Sequence, residues 1–102
     1  MAHFIVTFRI KNDATYQARY DSFVNTASSF ADIIPWDETT SFLAFKAKDH
    51  TLSSAGLCSA LYLQSEFDAV KDMMVVIDLD NRTKATRGDI AYPGLLAAGL
   101  GF

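Results

Sequence analysis

Phe4, Val6, Phe8 and Ile10 alternate with Ile5, Thr7 and Arg9. That period of two, with one strongly apolar face, predicts a half-buried first strand. Lys11-Asn12-Asp13 breaks the pattern, and Asn12 or Asp13 is placed to accept from the unpaired amides of a following helix. Tyr16, Tyr20, Phe23, Ala27 and Phe30 then recur at spacings of four, three, four and three, with Gln17, Arg19, Asp21, Ser22 and Asn25 between them. This is a helix with an aromatic core stripe and a polar outer side. Residues 32–36 read as a short strand, and Pro35, which has no amide to donate, places it at an edge or a bulge. After the polar turn Asp37-Glu38-Thr39, residues 41–48 alternate again. Leu43, Phe45 and Ala47 share one face; Phe42, Ala44, Lys46 and Lys48 share the other. The two segments predict a hairpin. Asp49 or Thr51 caps a second helix to about Gln64, with Leu52, Ala55, Cys58 or Ser59, and Leu61-Tyr62 as its apolar face. Gly56 and several serines weaken it, so packing must hold it in place. Residues 73–80, MMVVIDLD, predict the last strand, with a polar run behind it. Residues 89–102 are apolar again and are expected to dock on the same protomer or on a neighbour.

Strand, helix, strand, strand, helix, strand is the ferredoxin-like βαββαβ order. The expectation is therefore an α+β chain forming a single domain over residues 1–102. It has a four-stranded antiparallel sheet, two helices on one face and an apolar C-terminal tail. The first and third strands are expected to run parallel as the inner pair, with the fourth antiparallel beside the first. Phe4, Val6, Phe8 and Ile10, with Leu43, Phe45 and Ala47, should meet the helices. Val75, Ile77 and Leu79 should point inward, leaving Met74, Val76, Asp78 and Asp80 on the open face. Ile5, Phe42, Ala44, Met74 and Val76 then form an apolar patch in water. A homodimer joined through the open sheet face is the simplest cover. Arg9, Lys46 and Lys48 are expected to gather at one end as a nucleic-acid-binding group, with Asp78 and Asp80 at the other end near His3. The same charges can equally be a solvated rim around the dimer interface.

Composition narrows this picture. Half of the 102 residues are hydrophobic and 13% aromatic, enough for one packed core and far from a disordered composition. A net charge of −3 and a pI near 5.1 disfavour non-specific nucleic-acid binding over the whole surface. The single cysteine, Cys58, excludes an intramolecular disulfide, fits a reducing compartment and reads as a small buried filler. No apolar run approaches the length of a spanning helix, and residues 1–10 lack a basic, cleavable leader pattern. A cytoplasmic protein without membrane contact is expected. P-loop, GxGxxG, HExxH, CxxC and GxSxG patterns are missing, so no cofactor and no metal are expected. Asp78-x-Asp80 lacks the glycine and terminal glutamate of a calcium loop.

With its FIVTFRI strand, helix, hairpin, second helix, VVIDL strand and trailing tail, the chain resembles the small ferredoxin-fold endoribonuclease group. That group takes in CRISPR-adaptation nuclease-like proteins, VapD-type toxins and related toxin–antitoxin components. The resemblance spans about residues 3–90 and rests on element order. It implies homodimers through the open sheet face, often with a C-terminal segment crossing to the partner. The group's nucleases set an aspartate after an aromatic residue at the end of the first strand. Phe8-Arg9 stands there in this chain, and an arginine repels a divalent cation. A metal-free alternative would use His3 as general base with Asp78 or Asp80.

Three functions follow as expectations. One is a dimeric nucleic-acid-associated protein of the CRISPR-adaptation or toxin–antitoxin type, binding RNA or DNA without the metal nuclease site. Another is a non-catalytic interaction or regulatory module with a cognate protein partner. The third is a small-molecule enzyme of the dimeric α+β barrel type, with Tyr16, Tyr20, Trp36 and His3 around a pocket.

Overall fold

The computed structural model describes residues 2–102. Strands β1 (His3–Arg9), β2 (Phe42–Lys46), β3 (Met73–Asp78) and β4 (Thr83–Gly88) form one sheet in the order β2-β1-β3-β4. Every neighbouring pair is antiparallel. Helices α1 (Tyr16–Phe30) and α2 (Ser54–Gln64) cover one face, and a third helix, α3 (Pro93–Leu100), follows the last strand. The chain is α+β, as its patterning predicts, with three helices rather than two. None of them is long and apolar enough to cross a membrane.

The four-stranded antiparallel sheet departs from the expected strand order at both edges. Residues 31–36 do not form the expected edge strand; they pair with β2 and the residue after it at two isolated bridges, Ala31 with Ala47 and Trp36 with Ala44. Five steps along this segment span three along β2, so two surplus residues bulge out. Ile33 and Ile34 are those residues, 79% and 83% exposed, while Pro35 turns inward. At the other edge stands β4, built from the polar run TKATRG. Its loop, residues 79–82, is closed by the Asp78 carboxylate, which accepts from the amides of Asp80 (3.0 Å) and Asn81 (3.1 Å) and from Asn81 Nδ2 (2.9 Å). Arg82 takes a left-handed φ of 54° to complete the turn.

The core fills the space between the sheet and the first two helices. Phe4, Val6 and Phe8 of β1 and Leu43 and Phe45 of β2 meet Phe23 and Ala27 of α1 and Leu57, Cys58 and Leu61 of α2. Phe23 is fully buried and stacks obliquely on Phe8 (4.7 Å) and Phe67 (5.7 Å). Burying such a side chain contributes about 1.5–3 kcal/mol. The cap of α2 is Ser53, whose hydroxyl accepts the Gly56 amide at 3.0 Å. Asp49 instead closes the preceding turn onto Thr51.

Three expectations about the sheet need correcting. The β1–β2 pair, expected to be parallel, is antiparallel, with His3 opposite Lys46 and Thr7 opposite Phe42. The faces of β3 are exchanged: Val6 pairs with Val76, Phe8 with Met74 and Phe4 with Asp78. Met74 and Val76 are therefore at 0% exposure in the core and are not interface residues. Val75 and Ile77 occupy the opposite face. The cause is physical: MMVVI is apolar at both parities, so the strand carries no record of which face is inward. Both faces of β3 are in fact covered, the far one by α3 and the segment leading to it, which reduce Val75 to 6% and Ile77 to 8% exposure.

Gly88 redirects the chain onto that far face. Its φ is +94°, and a Cβ there would lie 2.1 Å from the Asp72 carbonyl oxygen, so only glycine fits. Helix α3 starts with Pro93 and ends at Gly101 in the left-handed conformation, the usual proline-first, glycine-last asymmetry. None of its residues is fully buried. Phe102 pins it down, its carbonyl accepting from Lys84 Nζ (2.5 Å) and its ring lying under Arg82 (5.2 Å) and Lys84 (5.7 Å). The apolar tail thus docks on its own protomer.

Candidate functional site

The sheet face away from α1 and α2 carries what remains for function, and α3 divides it. On the β3 and β4 side α3 forms a roof. On the β1 and β2 side lie His3, Ile5 and Thr7, beside Phe42, Ala44 and Lys46, all partly or fully exposed. Trp36 joins them from the bulged segment, edge-on to Phe42 at 5.8 Å and 46% exposed. With Ile33 and Ile34 next to it, this edge presents an apolar strip to water.

The expected basic group does not assemble. Because β1 and β2 are antiparallel, Lys46 sits opposite His3, six positions from Arg9, a separation of roughly 20 Å at the rise of a strand. Lys46 lies 3.9 Å from Asp32, and Lys48, just beyond β2, is exposed at the same end. Arg9 stands alone at the far end.

His3 and Asp80 do come together. The His3 amide donates to Asp80 Oδ2 (2.7 Å), and its Nδ1 is 3.1 Å from both carboxylate oxygens. These contacts, the amide first, hold Asp80 below the ordinary carboxylate value. Asp78 is not part of the pair; it is 1% exposed and occupied with its turn. A histidine oriented by a carboxylate is half of a general-base arrangement. Among the described residues its side chain bonds only Asp80, and no three potential ligands converge on a metal position. Tyr16 and Tyr20 pack together on α1 against Phe8, away from Trp36 and His3, so those four line no common pocket.

The most elaborate polar cluster is one that helical spacing hides. Arg19, assigned by its spacing to the outer side of α1, is 5% exposed. Its guanidinium donates from Nε and one Nη to the two oxygens of Asp72 (3.2 Å each), to the Lys11 carbonyl (2.9 Å), to Asp13 (2.8 Å) and to Thr15 Oγ1. Asp72, 2% exposed, also accepts the amides of Lys11 (2.9 Å) and Asp68 (3.0 Å). Burial pushes Asp72 upward, yet the bonds from Arg19 and the two amides outweigh it and hold the carboxyl below its ordinary value. Arg19, and then Lys71, hold Asp13 well below the carboxylate range. Every donor of the guanidinium is used, so the cluster is a clamp between α1 and the loops before α1 and β3. It offers nothing to a ligand. The one hint in the sequence was Asp13, six positions before Arg19.

A cleft of about 420 Å³ opens where Arg9 ends β1. Met73 and Val75 form its floor; Asp89, Tyr92 and Leu96, from the chain entering α3, form its walls. An adjoining cleft of about 200 Å³ shares Arg9, Met73 and Val75. No protein-family model matches the chain, and no curated protein or solved structure matches it either.

Proposed function

We propose that this chain is a non-catalytic interaction module that binds a second copy of itself through the Trp36 edge of its sheet. One observation carries the reading: Ile33, Ile34 and Trp36 stand large, apolar and exposed side by side, where isolated apolar residues would call for no explanation. Aromatic anchors at the centre of a patch, with charges at the margin, are the usual composition of an interface. Lys46 and Asp32 lie together at that margin. A two-fold contact sets each lysine against the partner's aspartate. The test is the mass in solution across a concentration series, with the emission of Trp36, the sole tryptophan, as an internal reporter. The expected result is a dimer whose dilution shifts the emission to longer wavelength, and an Ile34→Asp variant that stays a monomer. A species of 11.3 kDa at every concentration overturns the proposal.

A second reading has its own support. Trp36 and Phe42 beside Lys46 and Lys48 are an aromatic platform with adjacent cations, the arrangement single-stranded RNA uses for stacking. It corresponds to nucleic-acid association without metal-dependent cleavage. Here titration with short RNA should quench Trp36 and weaken steeply as salt is raised; an unchanged signal at low salt removes this reading.

A further inference from the structure

We propose that the cleft between the open sheet face and α3 binds a free α-amino acid with an apolar side chain, its carboxylate on Arg9 and its ammonium on Asp89. The cleft lies on the opposite half of the open face from the Trp36 edge and shares no residue with it, so the two proposals stand or fall separately.

The volume, about 420 Å³, is within the range of small-ligand sites. The floor is apolar: Met73 and Val75 lie below, Leu96 at the side and Tyr92 at the mouth. Such a floor favours a hydrocarbon or aromatic group. Only two charged side chains line the cleft, and they have opposite signs. Neither is engaged: the ion pairs within 4.0 Å among the described residues involve His3, Arg19, Lys46 and Lys71, and no hydrogen bond ties Arg9 to Asp89. Two opposite charges over one apolar floor, with no ion pair between them, match a ligand that carries both charges next to an apolar group. A phosphate dianion would meet Asp89, a simple amine would meet Arg9, and a neutral hydrocarbon would leave both charges idle. The zwitterion of an apolar amino acid satisfies all three surfaces. Arg9 offers the carboxylate a forked, charge-assisted contact. The first turn of α3 adds to it, since Tyr92 at the N-cap makes no side-chain cap bond and leaves the positive helix end uncompensated over the cleft.

The cleft also spans a weak joint. Its floor belongs to the sheet and its wall to a helix with no fully buried residue. A ligand touching both should tie α3 down and slow amide exchange along residues 93–100.

The experiment is calorimetric titration of the full chain with L-leucine and L-phenylalanine, against 4-methylpentanoate, which lacks the ammonium, and isoamylamine, which lacks the carboxylate. Hydrogen exchange across α3 is recorded in parallel. The expected result is saturable binding of the amino acids, about tenfold or more tighter than either half-ligand, with protection of α3. Arg9→Gln should reduce leucine binding to the level of isoamylamine, while the amine, freed of a like charge, binds no more weakly than before. Asp89→Asn should reduce leucine to the level of 4-methylpentanoate, while the acid, freed of a like charge, binds no more weakly than before. Both side chains are exposed, so both variants should fold, which a thermal melt verifies. Absence of saturation by leucine and phenylalanine at millimolar concentration overturns the proposal. So does an acid that binds as tightly as the amino acid, or leucine affinity unchanged in both variants.

Discussion

At Arg19 one side chain joins α1, the loop before it and the loop before β3. Removing it leaves the Asp72 carboxylate buried without its partner, so Arg19→Ala should lower unfolding free energy by about 3–5 kcal/mol in a urea titration. The pH dependence follows from the same bonds. Asp72 and Asp13 have folded values below the ordinary 3.8. Their contribution is complete above that value and is lost as pH falls through the lower folded values. The urea midpoint should therefore be level near pH 5–6 and drop below about pH 4. In Arg19→Met the buried Asp72 carboxyl keeps only the amide bonds from Lys11 and Asp68, and its value rises. Stability at that site should then increase as pH falls, opposite to the parent chain. A midpoint that falls equally in both proteins would show that other carboxylates carry the acid sensitivity. Helical spacing pointed the other way because a stripe separates apolar from polar positions; it says nothing about a charged residue whose partner lies 53 positions away.

Elements show which parts of a pattern are informative. The β1 and β2 segments were legible because their alternation is clean, and their buried residues are the ones the pattern names. β3 has five apolar residues in a row, and its inward set cannot be read without its register. Met74→Ala should cost about 2–5 kcal/mol as a core truncation, whereas Val70→Ala, at 91% exposure, should stay within about 0.5 kcal/mol. Denaturation curves of the two variants check that Met74 is a core residue. β4 escaped notice for the opposite reason. An edge strand of threonine and basic residues buries little, and charged edges discourage unwanted pairing. Its end is nonetheless strict. Gly88→Ala combines a left-handed φ with a 2.1 Å approach to the Asp72 oxygen and should cost at least about 1–3 kcal/mol. A melting temperature equal to that of the parent would mean the chain leaves β4 differently.

For the molecule as a whole, α+β class and a sheet with two helices on one face were readable from the periodicities. The third helix was readable only as an apolar tail. Its consequence for the surface was not, because composition cannot say on which side of a sheet a tail will lie. The outcome is a layered arrangement, α1 and α2, then the sheet, then α3 over half of the remaining face. That half-roof separates the two proposed surfaces, the exposed Trp36 edge and the cleft at Arg9. Self-association at the edge and ligand binding in the cleft should accordingly be independent: leucine at saturation should leave the monomer–dimer midpoint unmoved. A shifted midpoint would show that α3 communicates between them.

The roof also has a consequence in time. Helix α3 has no fully buried residue, so it can open locally and transiently while the core stays closed. In that open state Val75 and Ile77 face water beside Ile5, extending the apolar strip across three strands. The opened form is the one most exposed to chaperones and to aggregation.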